Sequence, residues 1–354
     1  MTYLNDRFEL RPATTMDAEQ ILKIYEGQEF GGNISVIYTR RPNPYLSLLK
    51  EGETVFLFVC YDHKEGILCG AGGCVIRQAY IKGELKAAGY LTGLKLLPQY
   101  RKKVPYIANA YQFMHERTKD LVDLYYTTIL IENTPAQRLL EKKRKNMPVY
   151  NLKGIYTVFC FLAGKHTAKK NYNLECGNIE NLEAFYKKNA TCWSLFPADF
   201  SMESFPKDAV YTLRDESGDI LAACALWNQQ AHKQYIVTGY KGIYKYLQWF
   251  PLKWFGYPNL PKRGQIANCA NYHMLCVKDS NADTALYFIK KIAEKESGYD
   301  FLMLGLLENH YLAAHLQRIK HIEYQSKFYE VNWDDSPSTS TLGLEKLHID
   351  VGLL

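Results

Sequence analysis

The sequence lacks the marks of the more specialised kinds of chain. Its nine cysteines, at positions 60, 69, 74, 160, 176, 192, 224, 269 and 276, are odd in number, irregular in spacing and contain no CxxC pair. Neither a disulfide framework nor a zinc module fits that pattern, and free thiols in a reducing compartment are the expectation. No apolar run approaches the roughly 18 residues that a membrane span needs. The opening MTYLNDRFELRPATT has no basic-then-apolar signal pattern. A soluble, cytoplasmic protein without a membrane span is therefore expected. Familiar catalytic signatures are missing too: there is no GxxxxGK(S/T) loop, no GxSxG elbow and no HExxH. Gly70-Ala71-Gly72-Gly73 leads into the strand-like Val75-Ile76, not a helix, so it fails as a dinucleotide fingerprint. His310 and His315 stand five apart, off any common helical face, and metal chemistry is not expected.

What is present is globular material. Over 354 residues, 47% are hydrophobic and 23% charged, and 28 tyrosines help to raise the aromatic share to 14%, enough for two cores. At roughly 150 residues per domain, two domains are expected. The net charge of +6 is uneven, with +7 in residues 1–165 and −1 in 166–354. The excess lies in two short runs, Arg101-Lys102-Lys103 and Lys142-Lys143-Arg144-Lys145. Such compact clusters suit a small polyanion better than DNA, which wants a broader basic face. Taken alone, the runs are explained as simply by a solvated surface.

Local patterns give an order of elements. Residues 7–11 alternate like a strand, and Thr14 to Asp17 open a helix carrying Ile21, Leu22, Ile24 and Tyr25. Residues 27–45, with Gly31-Gly32 and Pro42-Asn43-Pro44, read as mostly loop. Strands follow at Val55–Val59, Ile67–Val75 and Tyr90–Leu97, then a helix through Ile107, Tyr111 and Met114. Tyr125–Ile131 reads as a buried strand. In Thr134-Pro135-Ala136-Gln137, Thr134 is expected to cap a helix with Pro135 at its first position and Gln137 in the capping box. Ile155–Leu162 closes the first half, and polar residues 164–171 form the linker.

The second half repeats the order: a helix opening at 178–186, strands at 210–213, 220–226 and 273–277, a helix at 285–293 and a strand at 299–307. IENTPAQRLL (131–140) and LENHYLAAHL (307–316) correspond at a gapless offset of 176. Two copies of one domain are implied. The boundaries read from this are 1–165, 170–334 and a tail, 335–354. The second copy carries about 25 extra residues near 237–265, and its 278–282 loop is about five residues shorter.

The repeated unit resembles the GNAT N-acetyltransferase fold. Leu94-Lys95-Leu96-Leu97-Pro98-Gln99-Tyr100-Arg101 is similar to the family's hydrophobic strand followed by P-x-Y-R, and Asn133-x-x-Ala136-x-x-Leu139-Leu140 to its N-x-x-A segment. The resemblance implies an α/β protein of two tandem GNAT-like domains, each a mixed, mostly antiparallel sheet flanked by helices. It also implies an acyl-CoA site. Acetyl-CoA is the expected donor, with Leu96 and Leu97 on the strand, Arg101, Lys102 and Lys103 in the phosphate loop, and Asn133 as cofactor-binding residues. Lys142–Lys145 could face the nucleotide phosphate. The chain departs from the pattern in several places. The glycines of R/Q-x-x-G-x-G/A are replaced by Val104-Pro105-Tyr106, and Pro105 has no N–H to offer. Thr92 stands where a carboxylate base is usual, and Leu140 where a tyrosine acid is usual. The second copy keeps Asn309 but no P-x-Y-R, and looks like a degenerate partner.

For proton transfer, Glu132 at the strand end is the first candidate base, and Tyr90 can donate or accept a proton. Each has a simpler reading, a surface carboxylate and a core tyrosine respectively. His115 and His273 read more simply as structural. The insertion interleaves aromatic and basic residues, from Tyr240 to Lys262, and packing between the copies is its simplest account. A lid, an acceptor pocket, nucleobase stacking and membrane docking are the alternatives. The function expected is CoA-dependent N-acyl transfer to a primary amine of a small molecule, peptide or protein. The alternatives are a binding module that has lost catalysis and a transferase of longer acyl or aminoacyl groups.

Overall fold

The structure, a computed structural model, describes residues 2–101, 107–164, 172–333, 341–343 and 346–354. The first copy comprises β1 (Thr2–Tyr3), β2 (Phe8–Pro12), α1 (Ala18–Glu26), β3 (Ile34–Thr39), α2 (Pro44–Leu48), β4 (Thr54–Asp62), β5 (Ile67–Ile81), β6 (Glu84–Leu96), α3 (Ile107–Thr118), β7 (Leu124–Leu130), α4 (Thr134–Leu140) and β8 (Val149–Leu162). The second comprises β9 (Asn173–Cys176), α5 (Leu182–Asn189), β10 (Phe196–Pro197), β11 (Val210–Arg214), β12 (Ile220–Trp227), β13 (Gln234–Tyr240), α6 (Tyr244–Leu247), β14 (Cys269–Val277), α7 (Ala282–Lys295), β15 (Phe301–Leu307), α8 (Ala313–Leu316) and β16 (His321–Asn332).

Local chemistry explains the helices that flank the sheet. α1 turns Ile21, Ile24 and Tyr25 inward, and Asp17 holds its entry by accepting the Thr14 N–H at 2.8 Å and pairing with Arg11 at 2.7 Å. α7 is capped by Asn281, whose side chain accepts the Thr284 N–H at 2.9 Å. Its buried stripe of Ala285, Phe288, Ile289 and Ile292 faces the second core.

Most strands form one sheet in the order β1-β2-β4-β5-β6-β7-β16-β8-β15-β14-β12-β11-β9, with β10 paired to β5 off this path, and β3 and β13 form a separate two-stranded sheet. Within the large sheet, β6 runs parallel to β7 and β14 parallel to β15. The two halves exchange their last strands: β16 inserts between β7 and β8, and β8 pairs with β15. Phe159 and Phe161 of β8 consequently pack in the core of the second half with Tyr272 and Phe288. Tyr329 and Val331 of β16 pack in the first core with Tyr111 and Met114. Each aromatic so buried contributes roughly 1.5–3 kcal/mol, so the copies, separable along the sequence, are joined in space.

Three expectations need correction. Residues 27–45 are not mostly loop: Ile34–Thr39 is a β-branched strand whose partner, β13, lies some two hundred residues on, and α2 follows it, capped by Asn43. The α4 cap is Asn133, one residue earlier than expected, with its side chain accepting the Ala136 N–H. Gln137 is free of the capping box and instead donates to the Leu130 and Ile131 carbonyls at 2.8 and 2.9 Å. The insertion does more than pack. Tyr240, Leu252 and Leu260 are buried beside Ile34 and Val36, but most of its other aromatics are exposed.

Candidate active site

The site begins where β6 and β7 part. They pair only through Ala88–Leu124, Gly89–Tyr125 and Tyr90–Tyr126. Beyond that point the Leu91 carbonyl accepts the Thr127 hydroxyl at 2.8 Å, and past it no strand fills the gap between 92–96 and 128–130 among the described residues, so the backbone groups facing that gap are open to a ligand. The divergence has a local cause. The β5–β6 register slips between Ala71 and Gly73, and opposite the slip Gly93 adopts φ +68°, a left-handed conformation open to glycine. This bulge bends β6 away from β7. A Cβ on Gly93 would stand 2.4 Å from Tyr25 Oη. Tyr25 is buried in α1, and its hydroxyl has no hydrogen-bond partner among the described residues.

A cavity of about 760 Å³ opens through this gap. Its lining comes from both halves: Leu10, Phe58, Tyr111 and Met114 of the first, and Tyr235, Val237, Leu260 and Ile322 of the second. The walls are chiefly apolar. Tyr90 is buried among them, 3.1 Å from Thr128 Oγ1. Burial pushes its phenol up to about 12, partly opposed by the Thr128 hydrogen bond. Lys95 donates to the Tyr25 carbonyl at 2.8 Å and lies 4.5 Å from the Phe30 ring centroid, and burial lowers its ammonium to about 8.

The residues singled out in the sequence are distributed as follows. Tyr90, Leu96, Arg101, Glu132, Asn133, Thr92 and Leu140 all line the cavity. Glu132 is exposed at its rim, next to Gly32. Arg101 donates to Gln28 Oε1 at 2.8 Å. Leu97 does not line the cavity, and its N–H is committed to the Cys69 carbonyl at 2.9 Å. Lys102 and Lys103 lie outside the described residues. His115 stacks on Trp333 at 4.3 Å. Tyr25, Lys95 and Gly93 were not singled out: nothing in their spacing distinguishes them, although a glycine inside a strand pattern is a general sign of a bulge.

The second copy has the same parting of strands after Cys269–Phe301, Ala270–Leu302 and Asn271–Met303, but it is filled. Asp350 accepts the Met274 N–H at 2.7 Å and lies 2.7 Å from His273 Nδ1. Gln229 donates to the Gly352 carbonyl at 2.8 Å, and Tyr156 to that of Ile349 at 2.9 Å. Burial would raise the Asp350 carboxyl, yet His273 and His348 hold it well below its usual range. Residues 349–353 therefore occupy in the second half the place that stands open in the first.

Between the halves lies a buried charge cluster. Arg40 grips Glu51 in bidentate fashion at 2.8 and 2.9 Å. Lys233, from the second copy, approaches Glu51 to 3.0 Å and donates to the carbonyls of Gly352 and Leu354. Among the described residues no group of three or more His, Cys, Asp or Glu is placed to hold a metal, and no helix is long and apolar enough to cross a membrane.

No family model matches the sequence, and no curated protein matches it. Solved structures do. N-myristoyltransferase of Saccharomyces cerevisiae with bound myristoyl-CoA superposes with a TM-score of 0.58 at 9% identity, over 93% of this chain and 83% of that one. The GCN5-related glucosamine N-acetyltransferase region of a fungal multidomain GH3 β-N-acetylglucosaminidase gives 0.62 at 13%, over 93% of this chain but only 38% of that chain. A GCN5-related N-acetyltransferase from Anabaena variabilis gives 0.53 at 12%, over 93% and 73%. At these identities the likeness is one of fold. The chain has the GNAT fold in two tandem copies, as its internal repeat led one to expect.

Proposed function

We propose that the chain is a CoA-dependent N-acyltransferase, moving an acyl group from acyl-CoA to a primary amine. The observation that carries this reading is the asymmetry of the two partings: the first opens onto a large cavity and the second is occupied by the chain itself. The pantetheine arm would run between 92–96 and 128–130, its amides meeting the open backbone groups. Arg101, with Lys102 and Lys103 beside it in sequence, would face the phosphates. The thioester carbonyl would then lie near the Gly93 bulge, within reach of the Tyr25 hydroxyl as oxyanion donor.

The reaction adds a neutral amine to the thioester carbonyl, forming a C–N bond. Collapse of the tetrahedral adduct breaks the C–S bond and releases the CoA thiolate. One proton leaves the amine nitrogen and one is gained by sulfur. With its phenol held near 12, Tyr90 is protonated at neutral pH and suits the second task, not the first. Glu132, at the rim, suits the first. In a thiol-release assay with an acyl-CoA and a panel of amines, the chain is expected to liberate CoA only when an amine is present. Glu132→Gln should lower turnover by about 10²- to 10⁴-fold with acyl-CoA affinity unchanged. Equal turnover in this variant would remove Glu132 as base, and acyl-CoA binding without turnover on any amine would favour a binding module.

A second reading concerns the acyl group. An acetyl group needs a small part of the cavity, whose volume lies in the range of roughly 300–1,000 Å³ that takes drug-sized ligands. The apolar lining at Leu10, Phe58 and Met114 favours a longer acyl chain over the acetyl group expected from the sequence.

A further inference from the structure

The 237–265 insertion has two unlike sides. Its base is anchored: β13 pairs with β3 of the first copy, Leu252 and Leu260 are buried, and Lys320 donates to the Phe255 carbonyl at 2.9 Å. Its outer side is apolar and in water. Trp249 is 81% exposed and Trp254 86%, and Ile243, Tyr246, Phe250 and Phe255 are each more than half exposed. Side chains so fully exposed project from the surface and cannot line a groove. The charge is of one sign. Lys241, Lys245, Lys253, Lys262 and Arg263 are all exposed, and no Asp or Glu occurs between Asp219 and Asp279. Lys253 reaches one carboxylate outside the segment, Asp300, at 3.6 Å.

We infer that this projection docks the protein on an anionic lipid bilayer, with Trp249, Phe250 and Trp254 inserted at the headgroup level and the surrounding cations against lipid phosphates. Tryptophan and tyrosine favour the membrane interface, where an apolar body and a polar edge are both satisfied. Each cation held near an anionic surface strengthens binding by roughly fivefold. A single-stranded nucleic acid is a poorer occupant, because base stacking needs ring platforms along a basic groove, and here the rings lie on a projection. The same segment contributes Tyr244, Pro258 and Pro261 to the cavity lining, so docking would act on a segment that also forms part of the cavity wall. Docking needs no catalysis, and it stands or falls separately from the acyl-transfer reading.

The test uses the full chain with vesicles of phosphatidylcholine alone and of phosphatidylcholine with phosphatidylglycerol. Co-sedimentation is expected with the anionic vesicles and should weaken as salt is raised, and tryptophan emission should shift to shorter wavelength on binding. A Trp249→Ser, Phe250→Ser, Trp254→Ser variant should lose partitioning by about tenfold or more, with its thermal midpoint unchanged. A Lys241→Gln, Lys245→Gln, Lys262→Gln variant should lose the preference for phosphatidylglycerol. Absence of partitioning would overturn the proposal. So would equal partitioning by the aromatic variant, or aromatic-dependent binding of a single-stranded oligonucleotide without any binding to vesicles.

Discussion

Glu51→Ala is expected to destabilise the protein by about 3–5 kcal/mol, the usual consequence of removing one partner from a buried ion pair. Arg40, Glu51 and Lys233 are each no more than 2% exposed. Burial would raise the Glu51 carboxyl, but attraction to Arg40 and Lys233 keeps it below its ordinary value. Without Glu51, two desolvated cations would face each other across the junction of the copies, and Lys233 would keep only the Gly352 and Leu354 carbonyls. For a chain of this size the thermal midpoint should fall by on the order of 10 °C, measurable by calorimetry or circular dichroism. Replacing all three groups together by Met or Leu should recover most of the loss, since apolar substitution of a buried ionic cluster is often close to neutral. A Glu51→Ala midpoint within about 2 °C of the parent would contradict the assignment of the cluster as the pin between the halves. The sign of the pH dependence follows from the depressed Glu51 carboxyl. Its stabilisation is fully present above the unfolded value of about 4.3 and is lost as pH falls through the lower folded value.

Gly93→Ala should act on the site itself. The position needs φ +68°, which costs an ordinary residue about 1–3 kcal/mol, and the new methyl would press on Tyr25 Oη at 2.4 Å. Relief requires the bulge to flatten or α1 to shift. Either change moves the 92–96 edge that the pantetheine arm is proposed to follow, and losing one or two backbone hydrogen bonds should weaken acyl-CoA binding by about 10- to 100-fold. Because the Glu51 cluster is untouched, the loss of affinity should exceed what the change in thermal midpoint accounts for. Unchanged affinity would place the donor elsewhere.

Much of this arrangement was legible in the sequence, because it rests on local chemistry. The strands at 67–75 and 90–97 declare themselves through periodicity, the helix after Ile131 through Pro135 at its start although its cap is one residue earlier than Thr134, and the 176-residue repeat pointed to the tandem fold. What stayed hidden depends on distant partners. β3 is six residues among glycines and prolines, and it becomes a strand because β13 lies across from it. The exchange of β8 and β16 leaves each strand's pattern unchanged, since either neighbour buries the same faces. Arg40, Glu51 and Lys233 look like ordinary surface charges until the fold brings them together. Residues 349–353 carry no sign that they will fill the second parting of strands. Aromatic content marked out the insertion, but whether those rings face in or out is decided by how the segment is anchored.

One acyl-CoA held by the first copy between β6 and β7 is directly measurable by isothermal calorimetry of the full chain with CoA, acetyl-CoA and saturated acyl-CoAs of increasing length. One equivalent is expected to bind per chain with micromolar affinity, more tightly as the acyl chain lengthens, and with marked weakening in Gly93→Ala. No heat with any of these ligands at millimolar concentration, or two equivalents bound per chain, would contradict this placement.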